Sequence, residues 1–150
     1  MPKNKKGFTL IELLIVIGIL SILIGAVVVA VNPIRQFAQA RNSQRWTHVH
    51  SILNAVYQNI VDNQGIFVCP AGSLPNIATY MRVNDGYDIC NCLVPTYLAE
   101  FPFDLSAEEA SYTSCQSYDS KYQIFQDNVT KRITISAPFA ELDEVIDVIR

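Results

Sequence analysis

One stretch near the start of the chain constrains its fold more than any other. Residues 1–7 are lysine-rich and end at Gly7, and a long apolar run follows at once. Residues 8–31 carry a single charged side chain, Glu12. A helix that crosses the hydrocarbon core of a bilayer needs about 20 apolar residues. An ionisable group inside such a span costs about 2.5–3.5 kcal/mol or more at the bilayer centre, so we expect Glu12 to have a use.

The distribution of lysines and cysteines predicts the orientation in a membrane. The lysines that precede the apolar run keep that end in the cytoplasm by the positive-inside rule. All four cysteines follow the run, so they enter an oxidising compartment where disulfides persist. A bond between Cys90 and Cys92 has poor geometry. Two pairings remain open, namely Cys69–Cys90 with Cys92–Cys115, or Cys69–Cys92 with Cys90–Cys115; the spacing matches no common zinc site.

The charge of the chain argues against a general role in nucleic-acid binding. The formal net charge is −3, and loss of the three lysines before Gly7 would make it −6. Phosphate contacts need clusters of basic residues. Only Arg35, Arg41 and Arg45 form a modest basic patch, so we expect no specific nucleic-acid partner.

A helical pattern continues beyond the apolar run to about Val61. Pro33 removes one helical hydrogen bond, which predicts a kink or local melting near residues 29–32 of an otherwise nearly continuous helix from Phe8. The second half carries one apolar stripe, and Gly65 is the expected C-terminal cap. We call this second half, residues 32–63, helix α2, and its apolar residues the α2 stripe: Val49, Ile52, Leu53, Val56 and Ile60.

The remaining residues predict a small sheet that packs on the α2 stripe. Residues 122–125 and 132–136 alternate and are rich in β-branched and aromatic side chains, which indicates a hairpin. Leu142, Val145, Ile146 and Ile149 have helical spacing and predict a short terminal helix. The expected class is therefore α+β, with a long N-terminal helix, transmembrane and then amphipathic, packed against a small antiparallel sheet.

The N-terminus resembles the class III leader of type IV prepilins and type II secretion pseudopilins. The matching residues are the lysine leader, Gly7 as its last residue, Phe8 as the first mature residue, and the run Thr9-Leu10-Ile11-Glu12-Leu13-Leu14-Ile15-Val16-Ile17. An ordinary secretory signal has a shorter apolar core. A plain signal anchor would leave Glu12 and the junction at Gly7 unexplained.

The resemblance implies roles for three residues. A membrane prepilin peptidase would cut between Gly7 and Phe8 and would N-methylate Phe8. Glu12 would pair with the Phe8 amine of a neighbouring subunit during filament assembly. No cofactor is implied. The implied partners are identical or related pilin subunits, the prepilin peptidase, the inner-membrane assembly platform with its ATPase, and the membrane itself.

This pilin-like organisation divides the chain into four segments. Residues 1–7 form the leader, residues 8–31 the transmembrane and filament-core helix, residues 32–63 its amphipathic continuation, and residues 64–150 a disulfide-stabilised globular domain. The chain would begin as a single-pass protein of the inner membrane with a cytoplasmic N-terminus. It would end in an extracellular pilus, or in a periplasmic or cell-wall pseudopilus.

The sequence shows no catalytic motif, so we expect a structural subunit of a type IV pilus-like filament and no enzyme. Alternatives are a pseudopilin of a type II secretion system, a competence pilin, or a membrane-anchored extracytoplasmic binding domain. Asp104, Asp119 and Asp127 are weak candidates for calcium ligands, although no spacing matches a defined calcium loop. His48 and His50 point to different faces of a helix and are expected at the solvated surface.

Overall fold

A computed structural model describes residues 7–150. The leader lysines Lys3, Lys5 and Lys6 therefore lie outside the described residues. The chain divides into an N-terminal unit that ends at Phe37 and a globular unit, Ala38–Arg150.

Two long helices contain most of the N-terminal half. Helix α1 spans Leu10–Val31, and helix α2 spans Pro33–Asp62. Asn32 separates them in the left-handed conformation, with a φ of 46°. Pro33 has no backbone N–H to donate and its ring crowds the preceding turn, which explains an interruption at this point. The helix predicted from Phe8 instead begins at Leu10, because Thr9 is its N-cap.

The end of α2 has a left-handed cap, but one residue earlier than predicted. Gln64 has a φ of 59°, and Gly65 follows with a φ of 91°. The Gly65 N–H donates to the Ile60 carbonyl over 2.8 Å, which is the six-to-one bond of a Schellman motif. Gln64 is therefore the cap residue, and Gly65 allows the chain to leave the helix without steric cost.

A five-stranded antiparallel sheet follows α2. Four strands lie in the order β1, β3, β4, β5, and β2 also pairs with β3. The predicted hairpin is present as β3 and β4, with Ile124 opposite Ile135. A short helix, α3, lies between β1 and β2. The elements are β1 Thr79–Arg82, α3 Cys90–Leu93, β2 Ser111–Ser114, β3 Ser117–Gln126, β4 Ile133–Ser136 and β5 Asp147–Ile149.

The prediction of a terminal helix is wrong, because this segment contains strand β5. Ile146 is buried and Val148 is half-buried, whereas Asp147 and Ile149 between and beyond them are exposed. This alternation has the period of a strand, and Val148 pairs with Ile135 of β4. A short apolar segment can fit both the helical and the strand period. Here the segment pairs with the free edge of β4, so it forms a strand.

The core of the globular unit lies between α2 and the sheet, and the α+β prediction is confirmed. Four members of the α2 stripe are buried in the same cluster as inward side chains of β1, β3 and β4, while Ile60 packs at its margin. Burial of each such side chain stabilises the fold by about 1.5–3 kcal/mol. The fully buried members from the sheet include Met81, Tyr122, Ile124, Ile133 and Ile135.

Gly86 follows β1 at a position with no room for a side chain. A Cβ there would lie 2.4 Å from the Tyr80 carbonyl oxygen and 2.6 Å from the Arg82 Cγ. We expect Gly86→Ala to lower the free energy of unfolding by about 1–3 kcal/mol, because the backbone must shift to relieve the overlap. Urea unfolding followed by tryptophan fluorescence measures this. Asn84→Ala, at an exposed site in the same turn, is the control, and equal stability of both variants would contradict the expectation.

Candidate functional site

The junction predicted to be cut lies at an exposed, non-helical end of the chain. Gly7, Phe8 and Thr9 precede α1 and have no regular secondary structure. The Phe8 side chain is 87% exposed. A Cβ built on Gly7 would meet no other atom within 4 Å. Phe8 and its peptide bond to Gly7 are therefore unobstructed by the described part of the chain.

Thr9 and Glu12 form a capping box at the start of α1. The Thr9 N–H donates to Glu12 Oε2 over 2.8 Å, and the Thr9 hydroxyl donates to the same oxygen over 2.7 Å. The Glu12 N–H donates to the Thr9 hydroxyl oxygen over 3.3 Å. The box satisfies two helix N–H groups, and the positive end of the helix dipole favours the carboxylate. Glu12 thus lies within one helical turn of Phe8, with its second oxygen, Oε1, outside the box. Thr9 belongs to the motif quoted above, but its capping role was not predicted, although a threonine three residues before a glutamate is the signature of this box.

Helix α1 exposes apolar side chains on every face. None of its 22 residues is buried. Its length and composition suffice to cross a membrane, and it is the only such helix among residues 7–150. The Ser21 hydroxyl donates to the Ile17 carbonyl, so this polar group is satisfied within the helix. Such a surface needs lipid or other helices as its surroundings.

The comparison with protein families agrees with this geometry. Residues 2–28 match the family model described as the prokaryotic N-terminal methylation motif. The chain has a prepilin-type N-terminus. This match supports the resemblance to type IV pilin-like proteins, and it covers Gly7, Phe8, Thr9 and Glu12. Neither the curated proteins nor the solved structures yield a match to the chain.

Both disulfides of the pilin-like globular unit meet at α3. The structure joins Cys69 to Cys92 and Cys90 to Cys115, which is the second of the two open pairings. The buried Tyr118 hydroxyl lies beside them and accepts hydrogen bonds from the backbone N–H groups of Ile89 and Cys90. Burial raises the pKa of Tyr118, so its hydroxyl stays protonated and donates a hydrogen bond to Asp88 Oδ1.

A buried ion pair connects α2 to the loop between α3 and β2. Arg45 and Asp104 are only 3% and 4% exposed, and Arg45 Nε lies 2.7 Å from Asp104 Oδ2. The two other guanidinium nitrogens donate to Asn42 Oδ1 and to the Ser106 hydroxyl. Every nitrogen of the guanidinium is therefore hydrogen-bonded, which is the condition under which a buried charge is tolerated.

Two glutamates of the loop between β4 and β5, Glu141 and Glu144, bind side chains of α2. Glu141 accepts from Arg41 Nε over 2.7 Å, and Glu144 accepts from the Trp46 indole N–H over 2.7 Å. The buried Asn42 amide donates to the Glu141 carbonyl and to the Glu144 carboxylate. The prediction of a basic patch was wrong, because Arg41 and Arg45 form ion pairs with acids from distant segments. Only Arg35 of that patch has no acidic partner among the described residues.

The Glu141 contacts predict an acid-sensitive fold. Hydrogen bonds from Arg41 are the main cause that lowers the pKa of Glu141 from 4.5 to about 2. A lowered folded pKa gives stability that is present above pH 4.5 and lost as the pH falls toward 2. We expect the urea midpoint to drop across this window. Glu141→Gln should be less stable at pH 7 and should show a shallower drop, whereas an unchanged pH profile would contradict this role.

The structure does not bring the three candidate calcium ligands together. Asp104 is bound to Arg45, and Asp119 lies 3.0 Å from Lys121 Nζ. Asp127 accepts from the backbone N–H groups of Val129 and Thr130 in the β3–β4 turn. Within residues 7–150, no group of three or more histidines, cysteines, aspartates or glutamates is arranged to hold a metal ion.

The two histidines have different surroundings, and the expectation for His48 was wrong. His48 is half-buried, and its Nδ1 lies 2.8 Å from the Tyr122 hydroxyl. Burial lowers the pKa of His48, and the Asp104 charge partly opposes this. His50 is exposed as predicted, and its ring stacks on Trp46 at a centroid distance of 5.9 Å.

Proposed function

We propose that this chain is a structural, non-catalytic subunit of a type IV pilus-like filament. The observation that carries the proposal is the methylation motif over residues 2–28, joined to a fully exposed apolar helix. A prepilin peptidase cuts after Gly7 and methylates Phe8. Glu12 then pairs with the Phe8 amine of a neighbouring copy.

The physics of the apolar helix supports polymerisation. A surface like that of α1 is stable in lipid or among other helices, and burial against water is worth about 1.5–3 kcal/mol for each large aliphatic side chain. Transfer from lipid to a filament core gains little of this free energy, because lipid is equally apolar. Assembly therefore needs coupling to work from outside, which we assign to a cytoplasmic ATPase acting through a membrane platform.

The proposed route begins in the inner membrane with the N-terminus in the cytoplasm. The two disulfides of the globular unit support its export, because such bonds persist in oxidising compartments. The end point is an extracellular pilus or a pseudopilus.

The same N-terminus would also serve a pseudopilin of a type II secretion system or a competence pilin. Arg41 and Arg45 are paired with acids, and the formal net charge of the chain is −3, which together disfavour DNA binding. Electron microscopy of surface fibres separates a pilus subunit from a pseudopilin. Long extracellular filaments support a pilus, and their absence in a secreting cell supports a pseudopilus.

Mass spectrometry of the protein from cells with a working peptidase tests the proposal. We expect a mature chain that begins at Phe8 and carries one N-methyl group. A Gly7→Leu variant should stay uncut, because a side chain at the cut obstructs a narrow cleft. Wild-type protein that retains Met1 would instead support a membrane-anchored binding domain and would end the pilin proposal.

A further inference from the structure

The globular unit contains an open groove of about 620 Å³ beside the C-terminal half of α2. This volume lies within the range of small-molecule binding sites. One wall is α2, and the other is the segment that follows α3. The side chains with polar or aromatic groups include Asn54, Tyr57, Gln58, Asp62, Tyr97 and Arg150.

The wall that follows α3 is held firmly. The backbone N–H of Tyr97 donates to the carbonyl of Leu93, the last residue of α3, over 2.8 Å. Cys90 and Cys92 of the same helix carry the two disulfides. A site whose walls are fixed before binding avoids the entropic cost of ordering them.

The aromatic rings in the groove are also held in place. The Tyr57 hydroxyl donates to the Arg150 backbone carbonyl, and the Arg150 guanidinium lies 5.4 Å from the centre of the Tyr57 ring. The Tyr97 and Tyr57 side chains are half-buried and pack against the hydrophobic core. This packing holds the two rings, and the Tyr97 ring has no cation over its face among the described residues.

The polar groups of the groove suit a neutral ligand with many hydroxyls. Asn54 and Gln58 are exposed and one helical turn apart, so both amides lie on one face of α2. Each amide offers donors and an acceptor. Among the lining side chains, the cation of Arg150 and the anion of Asp62 balance each other. Phosphorylated ligands need more positive charge, and lipid chains need apolar walls, of which Val61 is the one aliphatic part.

We propose that this groove binds an oligosaccharide. The Tyr97 ring packs against the apolar C–H face of a sugar. Asn54 and Gln58 hydrogen-bond the sugar hydroxyls. The site is independent of Gly7, Phe8 and Glu12.

Saturation-transfer NMR on the full chain tests the proposal. The protein is held in a detergent without a sugar headgroup, such as lauryldimethylamine oxide, and is offered maltotriose, cellotriose or triacetylchitotriose. We expect saturation transfer to at least one trisaccharide, with a weak Kd of about 1 mM because the groove is open and polar. No transfer to any of the three would overturn the proposal.

Two variants and one control locate the site. Gln58→Ala changes an exposed side chain and should weaken binding about fivefold, and Tyr97→Ala should weaken it about tenfold. Gln39→Ala removes an exposed amide of α2 outside the groove and should bind like the wild type. Unchanged binding in Gln58→Ala and Tyr97→Ala would place the sugar elsewhere and refute the assignment. Because cleavage after Gly7 is measured separately, a failure here leaves the pilin proposal untouched.

Discussion

Replacing Arg45 by methionine will remove about 3–5 kcal/mol from the free energy of unfolding. The substitution keeps most of the aliphatic volume but leaves the Asp104 carboxylate in a site that is 4% exposed. It also removes the donor to the Ser106 hydroxyl, so the loop loses both of its side-chain contacts to the Arg45 guanidinium. Urea unfolding in detergent, followed by the fluorescence of Trp46, the single tryptophan, gives the change in stability.

A second variant separates the charge from the packing. Arg45→Met with Asp104→Leu leaves no uncompensated charge and should recover at least half of the lost stability, because replacing both partners of a buried pair is often nearly neutral. Arg35→Met removes an exposed cation of the same helix that has no acidic partner among the described residues, and it is the matched control, with a small expected loss. A loss in Arg45→Met no larger than in Arg35→Met would refute the importance of the buried pair.

Glu12→Gln should abolish filaments while the chain is still inserted and cut after Gly7. The amide keeps the shape of the side chain and can still accept from Thr9, so α1 is expected to begin at the same residue. It has no negative charge, however, and an ammonium group in an apolar filament core would then lack its counter-ion. Electron microscopy of fibres sheared from cells, together with the mass of the mature chain, gives both readouts.

Ser21→Ala is the control for this experiment. It removes another polar group from α1, but the Ser21 hydroxyl is already bonded to the Ile17 carbonyl within the same helix. Filaments in normal number are expected from Ser21→Ala. If Glu12→Gln also assembled normally, the carboxylate would have no part in joining subunits.

Features that depend on neighbours in the chain could be predicted from sequence. The prepilin-type N-terminus, the apolar helix and the α2 stripe are local patterns, and so is the β3–β4 hairpin with its short turn. The capping box of Thr9 and Glu12 is equally local, because its two residues are three positions apart.

Features that join distant segments could not be predicted. Arg45 meets Asp104 across 59 positions, and Asn42 meets Glu141 across 99. A single sequence does not show which arginine pairs with which acid. The disulfide pairing stayed open for the same reason, because Cys90 and Cys92 are nearly equivalent until the path of the chain is known.

The position of α3 also determines how the globular unit responds to a reductant. This four-residue helix is the shared anchor of two covalent rings, one closed through Cys69 and the other through Cys115. Cleaving either disulfide frees one loop, but the other disulfide still holds α3 in place. Partial reduction should therefore produce two distinct folded species, each with one disulfide, and only cleavage of the second disulfide would leave α3 without a covalent link to the rest of the domain other than the backbone.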